Sequence, residues 1–284
     1  MFNTSTILRV LVNKLVHLMS KNTGYKSHQS DENGLVNWSA QENKIWAELL
    51  QKQLRLLKGR ACDEYLHGLE LLNLSSERIP QLAEINSVLI KTTGWQVKQV
   101  PSLINFDEFF HLLANKQFPV ATFIRSNDEF DYLQEPDVFH EIFGHCPLLT
   151  NPAFAHFTHT YGKLGSTASK EDRAYLARLY WFTVEFGLVN TPNGTRVFGG
   201  GILSSPGETI HALESDDCVH VPMQPLDALR TPYRIDIMQP IYYVLESFNS
   251  LYDLAGMDIM ALVSEAKKLG IFAPRFLPKE KKVS

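Results

Sequence analysis

Two histidines five residues apart, His140 and His145, lie in the segment YLQEPDVFHEIFGHCP at 132–147. One carboxylate, Glu185, stands alone among the aromatic and aliphatic residues of YWFTVEFGL at 180–188. Burying an ionised carboxylate without a partner costs several kcal/mol, and a divalent cation is the most effective partner available. A salt bridge to Arg125 or Arg178 is the competing way to hold that charge. Two imidazoles and one carboxylate on one side of a metal leave three positions open, the arrangement of non-haem Fe(II) enzymes that activate dioxygen. Hydrolytic zinc sites built from two His and one Glu are close neighbours, and the donors alone do not separate the two.

The spacing sets a geometric condition. At ~100° per residue, a five-residue step turns about 140° around an α-helix, so an ideal helix would not aim both rings at one point. Gly144 and Pro147 suggest that the helix ends near Gly144 and frees His145 to turn back. The zinc-protease pattern H-E-x-x-H, which needs an i, i+4 pair, is absent here because the second His stands one place too far.

The surrounding elements read mostly as helices. Apolar residues at helical spacing mark 41–57, 61–72, 82–89, 105–114, 152–164, 170–190 and 239–254. Trp95–Val100 and FPVATFIR at 118–125, the latter rich in β-branched and aromatic residues, read as strands. The expected architecture is a mainly α single domain with a few short strands. The polar run KNTGYKSHQSDEN at 21–33 reads as mobile, so residues 1–35 are expected to form a flexible arm, 36–276 the folded domain and 277–284 a solvated tail.

Composition narrows the function classes. The 27 basic and 31 acidic residues are mixed along the chain and leave a net charge of −4, which offers no broad basic surface to nucleic acid. Partners should therefore be small molecules or proteins. Three cysteines without C-x-x-C spacing argue against a disulfide framework and a zinc–cysteine cluster, and fit a reducing, cytoplasmic setting. The first eighteen residues are apolar but interrupted by Arg9 and Lys14, too short a span to cross a bilayer. They read as a transit-like segment, a weak signal sequence, or a stretch preceding a true start at Met19.

Six ordered motifs then carry a resemblance: IPQL at 79–82, FPVATFIR at 118–125, DYLQEPDVFHEIFGHCPLL at 131–149, YWFTVEFGL at 180–188, GGGILSSPGE at 199–208 and QPIYYVLESF at 239–248. Together these resemble the pterin-dependent aromatic amino acid hydroxylases, over roughly residues 46–276. The resemblance implies an Fe(II) site held by His140, His145 and Glu185, a tetrahydrobiopterin cosubstrate, dioxygen, and a ferryl-oxo oxidant. It places Glu141 on the pterin side of the metal, with Phe109 stacked on the pterin and Ala177 and Tyr180 on the same wall. Ser102 and Ile104 occupy the pterin-loop position, where SLIN departs from the glycine-containing animal sequence.

For the amino acid substrate, the resemblance assigns Arg125 to the carboxylate, Ser204 to a position near both that carboxylate and the first His, and Pro136, Trp181, Phe186 and Gly201 to the aromatic pocket. A bidentate guanidinium suits a carboxylate well. Leu133 stands where animal members carry a threonine. Trp181 and the aliphatic Ile235 imply L-phenylalanine as the ring hydroxylated, giving L-tyrosine. No room remains before Trp46 for the animal regulatory domain, and eight residues after Phe276 are too few for a tetramerising coiled coil. A monomer or weak dimer is expected.

Overall fold

The computed structural model describes residues 25–101, 104–130 and 135–277. Helices dominate, with two small sheets, as the residue periodicity indicates. The helix Ala40–Leu57 starts at a capping box in which Ser39 Oγ accepts from Glu42 N and the Glu42 carboxylate accepts from Ser39 N. Two otherwise orphaned donors are satisfied there. Its apolar stripe, Ile45, Trp46, Leu49, Leu50 and Leu57, is buried in the main core.

That core is built to press on the segment bearing the two histidines. Trp46 meets Phe139 edge-on, Phe139 stacks on Phe143 at 4.7 Å, and Tyr65 from the helix Asp63–Leu72 donates its hydroxyl to Phe143 O at 2.8 Å. All four rings are essentially without solvent contact. The helix Asp63–Leu72 comes so close that a Cβ at Gly68 would overlap the backbone of Pro147. From the same stripe as Trp46, buried Gln53 donates to Leu203 O at 2.6 Å and so ties the first helix to the glycine-rich turn.

Strands β1 (Gln96–Val100) and β2 (Gln117–Ala121) pair in parallel, with Val97 opposite Phe118. The larger sheet contains β3 (Leu188–Thr191), β4 (Gly194–Val197), β5 (Val219–Pro222) and β6 (Ile241–Leu245), in the order β4-β3-β6-β5. β3 and β4 form an antiparallel hairpin, while β6 runs parallel to both of its neighbours.

Four sequence expectations are corrected. The stretch 239–254 is not one helix: Ile241–Leu245 is the inner strand β6, buried throughout, and the helix there is only Ser250–Gly256. A short run of aromatic and β-branched residues without polar alternation has no period with which to tell a core strand from a buried helix. The α-helix from Lys170 stops at Tyr180, and Leu188 already belongs to β3. The strand after Phe118 ends at Ala121, because Phe123 O and Arg125 N turn to bond Val138 N and the Asp137 carboxylate.

The fourth correction concerns the arm. Residues 25–35 are held against the domain: His28 N bonds Thr122 O at 2.8 Å, Ser27 Oγ bonds Val100 O at 3.1 Å, and Tyr25 stacks on Phe123. Polar composition hid this because the attachment uses backbone and hydroxyl bonds rather than a buried apolar face. Residues 1–24, Ser102, Leu133 and the tail from 278 lie outside the described residues.

Gly68→Ala should lower stability by about 1–3 kcal/mol, the usual cost of overpacking against backbone that cannot retreat. Urea unfolding should show the loss as a lower midpoint at unchanged slope.

Candidate metal centre

From His140 to His145 the chain makes a π-helical turn, in which backbone bonds close from residue i to i+5 rather than i+4. Residues five apart then lie nearer one face than they do in an α-helix, and both imidazoles reach the same point. The helix break expected at Gly144 is absent, and Cys146–Leu149 continues as a helical turn. Glu185 ends a second π turn, Trp181–Glu185, where Phe186 N donates to Trp181 O at 2.8 Å. Single π turns are rare and concentrate at functional sites.

The two turns bring three basic groups together. His140 Nε2 and His145 Nε2 are 3.1 Å apart, His145 Nε2 is 3.4 Å from Glu185 Oε1, and His140 Nε2 is 3.6 Å from Glu185 Oε2. Metal bonds of ~2.1 Å at right angles would place neighbouring donors about 3 Å apart, close to these values. Glu185 is paired with neither Arg125 nor Arg178, so the salt-bridge alternative does not describe it: Arg125 binds Asp137, and Arg178 donates to Ala174 O.

The hydrogen bonds behind the rings fix which nitrogen faces the centre. Ser204 Oγ donates its proton to Gly200 O at 2.8 Å and lies 2.8 Å from His140 Nδ1. With its only proton committed, the hydroxyl accepts from Nδ1–H, which leaves Nε2 of a neutral His140 as a bare lone pair aimed at the centre. His145 is 1% exposed, its Nδ1 has no hydrogen-bond partner among the described residues, and a Cβ at Gly200 would overlap its ring. Only glycine lets the backbone lie flat on that imidazole. A neutral His140 lone pair, the second imidazole and a carboxylate crowded together in this way suit a cation between them.

Electrostatics separates the carboxylates. Burial would raise the Glu185 carboxyl, but the adjacent His145 imidazole, by electrostatic attraction and a hydrogen bond, and then that of His140 outweigh it and hold the pKa below the ordinary value. Glu141 also lies within 4.8 Å of both histidine ligand atoms. Burial first, then the charges of Glu185 and Asp137, push its carboxyl well above the ordinary range. Burial, outweighing the charge of Glu185, pushes His140 down to about 4 and keeps it neutral.

Beneath the centre, Arg125 makes a bidentate pair with Asp137, Nε to Oδ2 and Nη2 to Oδ1 each at 2.9 Å. Asp137 also accepts from Arg125 N and His140 N. Against its own desolvation, the guanidinium holds the Asp137 carboxyl below its usual pKa. Arg125 is only 3% exposed, so the side chain expected to meet a substrate carboxylate is already engaged from one edge. Sequence reasoning missed Asp137, although an Asp three residues before the first His has the spacing of an N-cap.

On one flank, Tyr180 meets Phe109 edge-on at 5.4 Å, and its hydroxyl is buried without a hydrogen-bond partner among the described residues. Ala177 lies one turn earlier on the same helix and is half-buried. Ile104 packs with Val100, Leu112, Ala121 and Phe123 in a separate small cluster. On the other flank, Trp181 stacks on Phe186 and on Tyr233, both at 4.3 Å, and Gly201 lies against the Phe186 ring. Pro136 is half-buried beside Asp137, and Ile235 is 36% exposed. Tyr233 carries no signal in the sequence, and Gln239, which bonds the Trp181 indole, opens the motif at 239–248 without anything there that points to that indole.

The sequence profile described as biopterin-dependent aromatic amino acid hydroxylase matches residues 13–257. The chain is 61% identical to the phenylalanine-4-hydroxylase of Pseudomonas aeruginosa over 260 residues, covering 92% of this chain and 99% of that one. To the phenylalanine-4-hydroxylase of Vibrio cholerae it is 57% identical, over 91% of this chain and 89% of the other. Among solved structures, the apo cold-active phenylalanine hydroxylase of Colwellia psychrerythraea superposes with a TM-score of 0.87 at 57% identity, over 88% and 97% of the two chains. The Chromobacterium violaceum phenylalanine hydroxylase with bound oxidised Fe(III) gives 0.81 at 43% identity, over 88% and 94%.

Asp137→Ala strands the buried Arg125 charge and the His140 amide, and should cost about 3–5 kcal/mol of unfolding free energy by urea titration.

Proposed function

The chain belongs to the biopterin-dependent aromatic amino acid hydroxylases, and we propose that it converts L-phenylalanine to L-tyrosine using Fe(II), tetrahydrobiopterin and dioxygen. The observation that carries the reading is the convergence of His140, His145 and Glu185 within 3.6 Å, in a chain 61% identical to a phenylalanine-4-hydroxylase.

His140, His145 and Glu185 would hold the iron through their two Nε2 atoms and one carboxylate. The donor spacing and the Ser204–His140 bond support this assignment. Bound iron and reduced pterin together supply the activation of dioxygen. The chain's own contribution is to orient donors and to position two flat molecules. Ser204 fixes the tautomer of His140, and Gly200 braces His145 from behind.

Phe109, Ala177 and Tyr180 would form the pterin wall with Glu141, to which the unpartnered Tyr180 hydroxyl gives some support. Ser102 and Ile104 are carried as pterin-loop contacts on the family resemblance alone. Trp181, Phe186, Pro136 and Gly201 would line the aromatic pocket, supported by the stacked indole and its closeness in sequence to Glu185. Arg125 would bind the substrate carboxylate through guanidinium donors not spent on Asp137, with Ser204 nearby. A mostly apolar ring site rejects an added hydroxyl only about a hundredfold, so slow turnover of tyrosine accompanies that of phenylalanine.

No helix among the described residues is long and apolar enough to cross a membrane. The cysteines are free, two of them buried. We propose a cytoplasmic enzyme acting as a monomer or weak dimer, which sedimentation at micromolar concentration will test.

Anaerobic loading with Fe(II), followed by tetrahydropterin, dioxygen and L-phenylalanine, should yield tyrosine by chromatography only when all are present, with zinc-loaded protein inactive. No product with bound iron would overturn the proposal. Glu185→Gln should lose more activity than the ~10–100-fold typical of residues behind the ligands, whereas Ser204→Ala should weaken Fe(II) affinity within that range by anaerobic titration.

A further inference from the structure

Gln239 is 2% exposed, and every polar group it carries is engaged. Its backbone N donates to Glu208 Oε1 at 3.0 Å, and its carbonyl lies 3.1 Å from His211 Nε2. Its side-chain Nε2 donates to Arg234 O and Ile237 O, each at 2.9 Å, closing the loop before β6. Its Oε1 accepts from the Trp181 indole N–H at 3.1 Å. An indole N–H only donates and the two carbonyls only accept, so the orientation of the amide is dictated by its partners. Glu208, itself 3% exposed, is anchored in turn by the hydroxyl of Tyr242 on the inner strand.

The indole has one polar handle, and Gln239 holds it. Phe186 and Tyr233 stack on the Trp181 ring but allow it to slide and rotate in its own plane, whereas one in-plane hydrogen bond removes that freedom. We infer that Gln239 is a positioning residue that sets the rotation of Trp181 and, through it, the size and tilt of aromatic side chain the pocket admits. The inference rests on the reading of Trp181 as a wall of the substrate pocket. Gln239 also joins the wall to the loop bearing Tyr233, so that both faces of the stack move with one amide.

The test is a double-mutant cycle on the iron-loaded enzyme with phenylalanine and tryptophan as substrates. Gln239→Leu should raise KM for phenylalanine about fivefold, the worth of one neutral hydrogen bond, while kcat changes less. Discrimination against tryptophan should fall at the same time. In a Trp181→Phe background, which has no indole N–H to hold, Gln239→Leu should change KM by less than about twofold. An equal effect in both backgrounds would mean that Gln239 acts only by closing its loop, and would overturn the inference while leaving the pocket assignment intact. Trp181→Phe without effect on KM would instead overturn the pocket assignment and the inference with it. A second readout needs no substitution at Gln239. In the wild-type protein, the indole 15N–1H signal assigned by its loss in Trp181→Phe should be protected from solvent exchange, and exchange at the rate of an open indole would overturn the inference.

Discussion

Two imidazole nitrogens and a carboxylate held within 3.6 Å of one another do not favour that arrangement by themselves. Electron pairs face electron pairs, and the site is too buried for water to separate them fully. Rigid outer support is therefore the constraint on which the remainder depends. The aromatic block of Trp46, Phe139, Phe143 and Tyr65 presses the first π turn from behind, Ser204 and Gly200 fix the rings, and the Arg125–Asp137 pair ties down the His140 amide. Each device restrains a donor that would otherwise relax away, and each is spent before any metal or substrate binds.

The first π turn solves a geometric problem. An α-helical register would separate histidines five residues apart around the axis. Widening the turn narrows that separation, and a second π turn ends at Glu185. The wider turn packs less well on itself, so it needs neighbours that fit closely, which is where the glycine-rich turn at 199–201 meets both histidine and glutamate segments. Glu185 and the stacked indole of Trp181 are thus joined along five residues, at the two ends of the second turn.

Much of the fold was legible because helix spacing and caps are local. The helices Ala40–Leu57 and Phe106–Ala114 and the strands β1 and β2 arise where the residues indicate, while the parallel pairing of the two strands does not show in their residues. β6 was misread as a helix, since five consecutive buried apolar residues report burial on every side and carry no period. The attachment of residues 25–35 was invisible for the opposite reason, as backbone bonds to a strand leave no apolar pattern.

The sequence by itself determined which donors were on offer: an isolated carboxylate in an apolar run has to be paired, and two nearby histidines stand as candidate co-ligands beside the competing salt bridge. It could not determine that Asp137 would engage Arg125 from one edge, that the Glu141 and Glu185 carboxyls would be pushed in opposite directions within one site, or that Gln239 would hold an indole 58 residues away in sequence. Donor identity is a property of residue type and burial. Donor direction, tautomer and ionisation depend on distances between groups far apart along the chain, and only the packed tertiary structure sets those.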